Sequence, residues 1–181
     1  MNINSNPTQS HKSETVSTYN FFLITISSSR YYEYGDVTNP EEVDDTSGNT
    51  IKNLLTTNGH NVIQYKLIND DFTAIQNTVN SAVCSNADIV ITTGGTGLTS
   101  HDVTIEAVQP LFDKEIPGFG ELFRFKSLED IGTSVILTRA TAGVVRNKTV
   151  FCLPGSNNAV RLAIREIIIP ETDHIVKHTK D

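Results

Sequence analysis

The chain has no tryptophan, one methionine and two cysteines among 181 residues. Two cysteines exclude a disulfide framework, and Cys84 and Cys152 each sit within an apolar segment, so both are expected as buried thiols. Base is scarce: Lys and Arg total 14 against 21 acidic residues, for a formal charge of −7, and no basic stripe occurs. That balance excludes broad non-specific binding to nucleic acid, so any phosphorylated ligand has to be held locally. No apolar run approaches the roughly 20 residues that span a bilayer. The first eighteen residues, "MNINSNPTQSHKSETVST", lack the apolar middle of a signal peptide and read as a disordered polar tail, which places the chain in the cytoplasm by default. A Walker loop, a GxGxxG dinucleotide loop, a nucleophile elbow and a cysteine–histidine signature are all missing. His11, His60, His174 and His178 show no spacing that suggests a transition-metal site.

What is present is an alternation of two periods. "YNFFLITISS", Tyr19 to Ser28, is a continuous apolar run suited to a strand buried on both faces. From Ser29 to Thr46 nothing is periodic, and acid gathers between Glu33 and Asp45 as a solvated loop. Ser47 can cap a helix carrying Ile51, Leu54 and Leu55, with Gly59 as its stop. Val62–Ile68 follows as a strand, then a helix with Phe72, Ile75 and Val79 on one face, capped by Asn69, Asp70 or Asp71. Asp88–Thr93 is a third strand. A helix begins at Asp102 or Thr104, and another at Phe119 or Gly120 after a break at Pro117 and Gly118. Residues 131–139 are helix or strand by periodicity alone, and Val144, Val145 and Thr149–Leu153 flank the turn "RNK" as a hairpin. A last helix carries Val160, Ala163, Ile164 and Ile167 and is expected to stop at Pro170. Alternating strands and helices predict one α/β domain over residues 19–181, with helices on both faces of a mostly parallel sheet.

In such a sheet ligands collect beyond the carboxyl ends of the strands. The junction "TTGGTGLTSHD" places Gly94, Gly95, Thr96 and Gly97 there, either as an anion cradle of backbone amides or as a tight turn. Pro154, Gly155 and Ser156 repeat the arrangement after the last strand. Asp70 and Asp102 stand at two of these junctions; each can be a helix cap, and together they can hold Mg²⁺ beside ligand phosphates.

"TTGGTGLTSHDVTIEA", "DKEIPGFGELFR", "IGTSVILTRATAGV" and "FCLPGSNNAVRLAI", in this order and spacing, closely resemble the MoaB/Mog family of molybdenum cofactor biosynthesis proteins. The resemblance implies a three-layer α/β/α sandwich assembled as a trimer or hexamer. It implies Mg²⁺- and ATP-dependent adenylylation of molybdopterin, with release of pyrophosphate, and contact with the protein that inserts molybdenum. By position, Asp102 matches a catalytic and metal-binding aspartate, and Asp70, with Asp71 as rival, the second. Gly94 to Gly97 match a loop receiving the pterin phosphate, and Gly155 and Ser156 another binding turn. Asp45, Ser47 and Gly48, together with Ser27, match the nucleotide side, and "GFGE" at Gly118 to Glu121 also matches. The chain departs from the pattern at His101, where arginine is common, at Ile105 for proline, at Ser28 for aspartate, and at "SNN" for "SPK". Two lost positive charges beside anion sites motivate a rival reading, a molybdopterin carrier or scaffold without catalysis. A third reading is a different nucleotide-processing enzyme on this fold.

Overall fold

The computed structural model describes residues 17–180, so nearly all of the expected tail lies outside the described residues. A sheet of order β2-β1-β3-β6-β5-β4 forms the middle layer. β1 (Asn20–Ile26), β2 (Asn61–Ile68), β3 (Ile89–Thr93) and β6 (Lys148–Leu153) run parallel. β5 (Thr141–Val145) and the two-residue edge strand β4 (Lys114–Glu115) run antiparallel to their neighbours. β4 is too short to show a period and was not expected. The β5–β6 hairpin turns at Arg146 and Asn147, both with positive φ (49° and 60°), as a two-residue turn that follows the twist of its strands requires.

β1 is buried on both faces, as its apolar run, broken only by Thr25, requires. Phe21 and Leu23 face a core shared with Ile51 and Leu55 of α2 (Thr46–Thr57), Phe119 and Phe123 of α5 (Pro117–Ile131) and Val160 of α6 (Asn157–Ala163). Phe22 and Ile24 face a second core with Ile75 and Val79 of α3 (Phe72–Val83) and Ala107 and Val108 of α4 (Thr104–Val108). The result is the predicted three-layer α/β/α arrangement. No helix among the described residues is long and apolar enough to cross a membrane.

Several local expectations change. Ser28–Tyr34 forms a short helix, α1, where no periodicity was visible, because none of its side chains is buried and an apolar stripe is not needed. α2 is capped by Asp45 rather than Ser47, and α5 begins at Pro117 itself, a position where a missing amide hydrogen is harmless. Residues 132–137 form a 3₁₀ segment, neither strand nor α-helix. Pro170 does not stop the last helix. Ile164–Ile168 takes π geometry, with the Ile169 amide bonded to Ile164 O, and α7 (Ile169–Lys180) continues past the proline. The wider turn relieves the clash between the pyrrolidine ring and the preceding carbonyls. Cys152 is buried, its thiol pushed up to about 12 by desolvation. Cys84 is exposed, because it falls at the C-cap of α3 beyond the apolar stripe, where Arg146 Nη1 approaches Sγ at 2.9 Å.

Candidate active site

The strand register decides where the site lies. Thr25 of β1 is opposite both Leu67 and Thr93, and Thr93 is opposite Leu153, so the first residues beyond these strands emerge side by side at one edge. β1 lies between β2 and β3, and the chain leaves it toward β2 but later continues from β3 toward β6. The junctions after β1 and β3 therefore diverge and open a crevice at the switch in strand order.

Gly94 and Gly95 turn the chain sharply there with φ of +99° and +61°. A Cβ on Gly94 would collide with the Ile26 carbonyl. Gly94 N donates to Leu153 O at 3.1 Å, and Gly155 approaches so closely that its own Cβ would stand 3.3 Å from Gly94 Cα. The glycine turn and the "PGS" turn thus form one surface. Thr104, fully buried, clamps it: its amide donates to Gly95 O at 2.9 Å and its hydroxyl to Gly94 O at 2.9 Å. Among the described residues the amides of Gly95 and Thr96 have no acceptor, which leaves them for an anion.

The glycines also make room for carboxylates. A Cβ on Gly95 would lie 2.7 Å from Asp70 Oδ1, and one on Gly97 would lie 2.6 Å from Asp102 Oδ2. Asp70 and Asp102 therefore flank the same turn. Asp70 is held by Oδ2, which accepts from Ser28 N and Ser28 Oγ, both at 2.8 Å, while Ser28 Oγ accepts from Asp70 N at 2.9 Å. Ser28, where the family pattern has aspartate, is thus the residue that orients Asp70. Asp71 instead caps α3 through the Ala74 amide at 2.8 Å, so the two neighbouring aspartates have separate tasks. Asp102 Oδ2 accepts from Thr99 Oγ1 at 2.6 Å and Thr99 N at 3.0 Å. The Thr99 hydroxyl holds this carboxyl below the usual range, aided by the backbone and by the Arg139 charge. Each carboxylate is anchored through one oxygen, and among the described residues Oδ1 of each has no hydrogen-bond donor.

Asp45 is placed differently. It is buried and accepts from Thr25 Oγ1 at 2.7 Å, Tyr65 Oη at 2.8 Å and Gly48 N at 2.8 Å. Burial and the adjacent carboxylate push the Tyr65 phenol above its ordinary range. Asp45 therefore ties α2 to β1 and β2, with no oxygen left over for a ligand. Ser47, also buried, donates to Gly155 O at 2.8 Å and locks α2 to the "PGS" turn. Gly48 leaves no space, since a Cβ there would meet Asp45 and Pro40. Ser27, at the start of α1, donates its amide to Ile68 O, and Arg30 Nη1 reaches its Oγ at 3.5 Å. Ser156 caps α6 through Ala159 N at 3.3 Å. Thr96 is buried beneath the turn, and His101 is exposed beside Asp102.

The sequence marks Thr104 only as a possible helix start and assigns Arg30 and Arg139 no role in a site. Arg30 Nε donates to Asp44 O at 2.7 Å, and Arg139 Nη2 pairs with Glu106 at 2.8 Å. Both put cationic charge beside the crevice despite His101 and Asn158. A recess of about 110 Å³ touches the site through Pro154, Ser156 and Asn158. A larger one of about 660 Å³ lies along α5 and α6 among Lys126, Arg161 and Arg165 and holds none of the two carboxylates or glycines. Among the described residues no trio of His, Cys, Asp or Glu forms a metal cluster. Two carboxylates, each with one free oxygen, suit Mg²⁺, which takes one or two carboxylates plus substrate phosphates.

Residues 22–174 match the family described as a probable molybdopterin binding domain. The molybdenum cofactor biosynthesis protein B of Bacillus cereus is 45% identical over 91% of this chain and 93% of its own. The molybdopterin adenylyltransferase of Pyrococcus furiosus is 44% identical over 96% and 98%. A crystal structure of a molybdenum cofactor biosynthesis protein B has a TM-score of 0.83 at 43% identity, covering 92% of this chain and 99% of that one. With the strand-edge glycine turn and its paired aspartates within the matched span, this chain belongs to the molybdopterin-binding family of molybdenum cofactor biosynthesis proteins.

Proposed function

We propose that this chain is a molybdopterin adenylyltransferase, which transfers AMP from ATP to the terminal phosphate of molybdopterin. A relative of this length and high identity bears that name. The observation that carries the reading is the pair of half-held carboxylates, Asp70 and Asp102, on either side of a glycine turn whose amides are free. A phosphate oxygen of molybdopterin attacks the α-phosphorus of ATP in line, a new P–O bond forms, the bond to the bridging oxygen breaks, and pyrophosphate leaves.

Both reactants are anions, so the protein neutralises and positions rather than supplying a nucleophile. The Gly95 and Thr96 amides receive the pterin phosphate, with Gly97, Gly155 and Ser156 bordering it. Ser27, Ser47 and Arg30 border the nucleotide side, and Asp45 positions that side through the α2 cap. The free Oδ1 atoms of Asp70 and Asp102 would hold Mg²⁺, which when bound supplies charge neutralisation on the ATP phosphates. Arg30 and Arg139 offset part of the charge that His101 and Asn158 do not carry.

The test is release of pyrophosphate from Mg-ATP with and without molybdopterin. The proposal expects release only when pterin is present. Binding of molybdopterin with no pyrophosphate would establish a carrier, and release from nucleotide alone a different nucleotide-processing enzyme. We further propose self-association as a trimer or hexamer, supported by exposed apolar side chains at Phe125, Leu128, Ile131, Ile136 and Leu137. Light scattering that gives a monomer mass at micromolar concentration would exclude it.

A further inference from the structure

Continuation of α7 past Pro170 has a chemical result at its outer face. His174 and His178 come to stand one helical turn apart, four residues being the spacing at which side chains meet. Their Nε2 atoms are 2.9 Å from each other, and the two rings are exposed and edge-to-face with centroids 4.6 Å apart. Imidazole nitrogens bind first-row divalent ions at about 2.0–2.1 Å, so two such ligands at a right angle stand about 2.9 Å apart, and two at a tetrahedral angle about 3.3 Å. The separation in α7 matches the right-angle pair. Right-angle geometry is that of square-planar or octahedral Cu²⁺ and Ni²⁺.

The surroundings fit a chelate. Glu171 Oε2 lies 3.5 Å from His174 Nδ1, on the ring nitrogen that does not face His178. A carboxylate there favours the proton on Nδ1 and leaves Nε2 with its lone pair, the arrangement that commonly supports a metal-bound histidine. In the metal-free protein either Nε2 can donate to the other, according to tautomer, and coordination requires that both rings carry their protons on Nδ1. The neighbouring cation Lys177 is paired with Asp173 at 2.6 Å, and Asp173 also accepts from Tyr19 Oη at 2.6 Å, so neither competes for the ion.

We propose that His174 and His178, with Glu171 behind His174, form a chelate site for a divalent transition ion, Cu²⁺ or Ni²⁺. It lies apart from the glycine turn. α7 is tied to the amino ends of the strands, by Tyr19 before β1 and by the Lys180 to Asp88 pair at 2.8 Å before β3, whereas the turn stands at the carboxyl ends. Binding there leaves AMP transfer unchanged.

Titration calorimetry of the tag-free full chain with Cu²⁺ or Ni²⁺ in a non-coordinating buffer tests the site, with Cu²⁺ electron paramagnetic resonance reading the ligands. Expected are one nitrogen-ligated ion per chain with two nitrogen ligands, distinct from any ion on the Asp70 and Asp102 oxygens, and affinity at that site lowered at least about 10-fold in His174→Ala and in His178→Ala, on the scale that metal-site contacts carry. Glu171→Gln weakens binding by about 10-fold through its effect on His174, and His11→Ala changes nothing. Wild-type affinity in both single histidine variants, or a spectrum with one nitrogen ligand, would overturn the proposal. The three side chains on α7 are exposed, so these variants fold and leave the comparison intact.

Discussion

Replacing Asp45 by asparagine should destabilise the fold while leaving the chemistry-bearing aspartates in place. The carboxylate accepts three hydrogen bonds at 2.7 to 2.8 Å, from Thr25, Tyr65 and Gly48. An amide can keep its oxygen toward Thr25 and Tyr65, but its NH₂ then faces the Gly48 amide, donor against donor. One charge-assisted bond worth about 1.5–3 kcal/mol is lost and two others weaken toward the neutral value of about 1 kcal/mol. Relief from burying a charge offsets part of this. The balance is a loss of about 2–4 kcal/mol, or on the order of 5–15 °C in Tm for a chain of this length. Urea unfolding should show a lower midpoint with an unchanged slope, because the surface exposed on unfolding is the same. Tyr65→Phe removes a single bond and should cost about 1–2 kcal/mol. The double variant should lose less than the sum, since both substitutions act on one oxygen. An Asp45→Asn midpoint equal to wild type would refute the assignment of this residue as the tie between α2 and the sheet.

Gly95→Ala puts a methyl where Asp70 Oδ1 and Thr104 Oγ1 stand, at a φ of +61°, so both must move. Adenylylation should fall about 10²-fold, the effect of roughly an ångström of misplacement, as read from initial rates. Because the Thr99 hydroxyl is the main cause of the lowered pKa of Asp102, Thr99→Val should raise it. A depressed carboxyl keeps its charge as pH falls until its folded pKa is reached, so the acid limb of kcat/KM should move to higher pH in the variant. Burial lowers the pKa of His60, which packs on Phe21 with Nδ1 toward Tyr19 N. The neutral form is the stable one, so this contribution is complete above the unfolded value of about 6.5 and is lost as pH falls through the folded pKa. Urea midpoints measured between pH 7 and 5 should fall less steeply for His60→Gln than for wild type.

The layers were readable because burial leaves a period. β1 is buried on both faces from Phe21 to Ile26 and apolar there except at Thr25, and α3 repeats Ile75, Val79 and Ala82 on its core face. α1 and β4 carried no such mark, the first because nothing in it is buried and the second because two residues cannot show a period. Pro170 misled because a proline in a helix normally ends it, and only the π turn before it changes that outcome. The extension past Pro170 also brought His174 and His178 together, a pairing the expected stop had hidden. In the site, glycines and aspartates at strand ends were visible as residue types. Their assignment was only half visible: the resemblance favours Asp70 with Asp71 as rival, and their contacts separate them, Ser28 from another junction holding Asp70 and the Ala74 amide holding Asp71. The same holds for Thr104 and Arg139, whose contacts exist only after the chain has closed on itself.

The central question for this protein is whether the carboxylates beside the glycine turn serve AMP transfer. Mass spectrometry of adenylylated molybdopterin formed from Mg-ATP, with molybdopterin binding measured in parallel, tests this on the wild type and on Asp102→Asn. The prediction is product from the wild type and about 10²-fold slower formation by the variant, with pterin binding nearly unchanged, the scale lost with one electrostatic group. Wild-type rates in Asp102→Asn would contradict it.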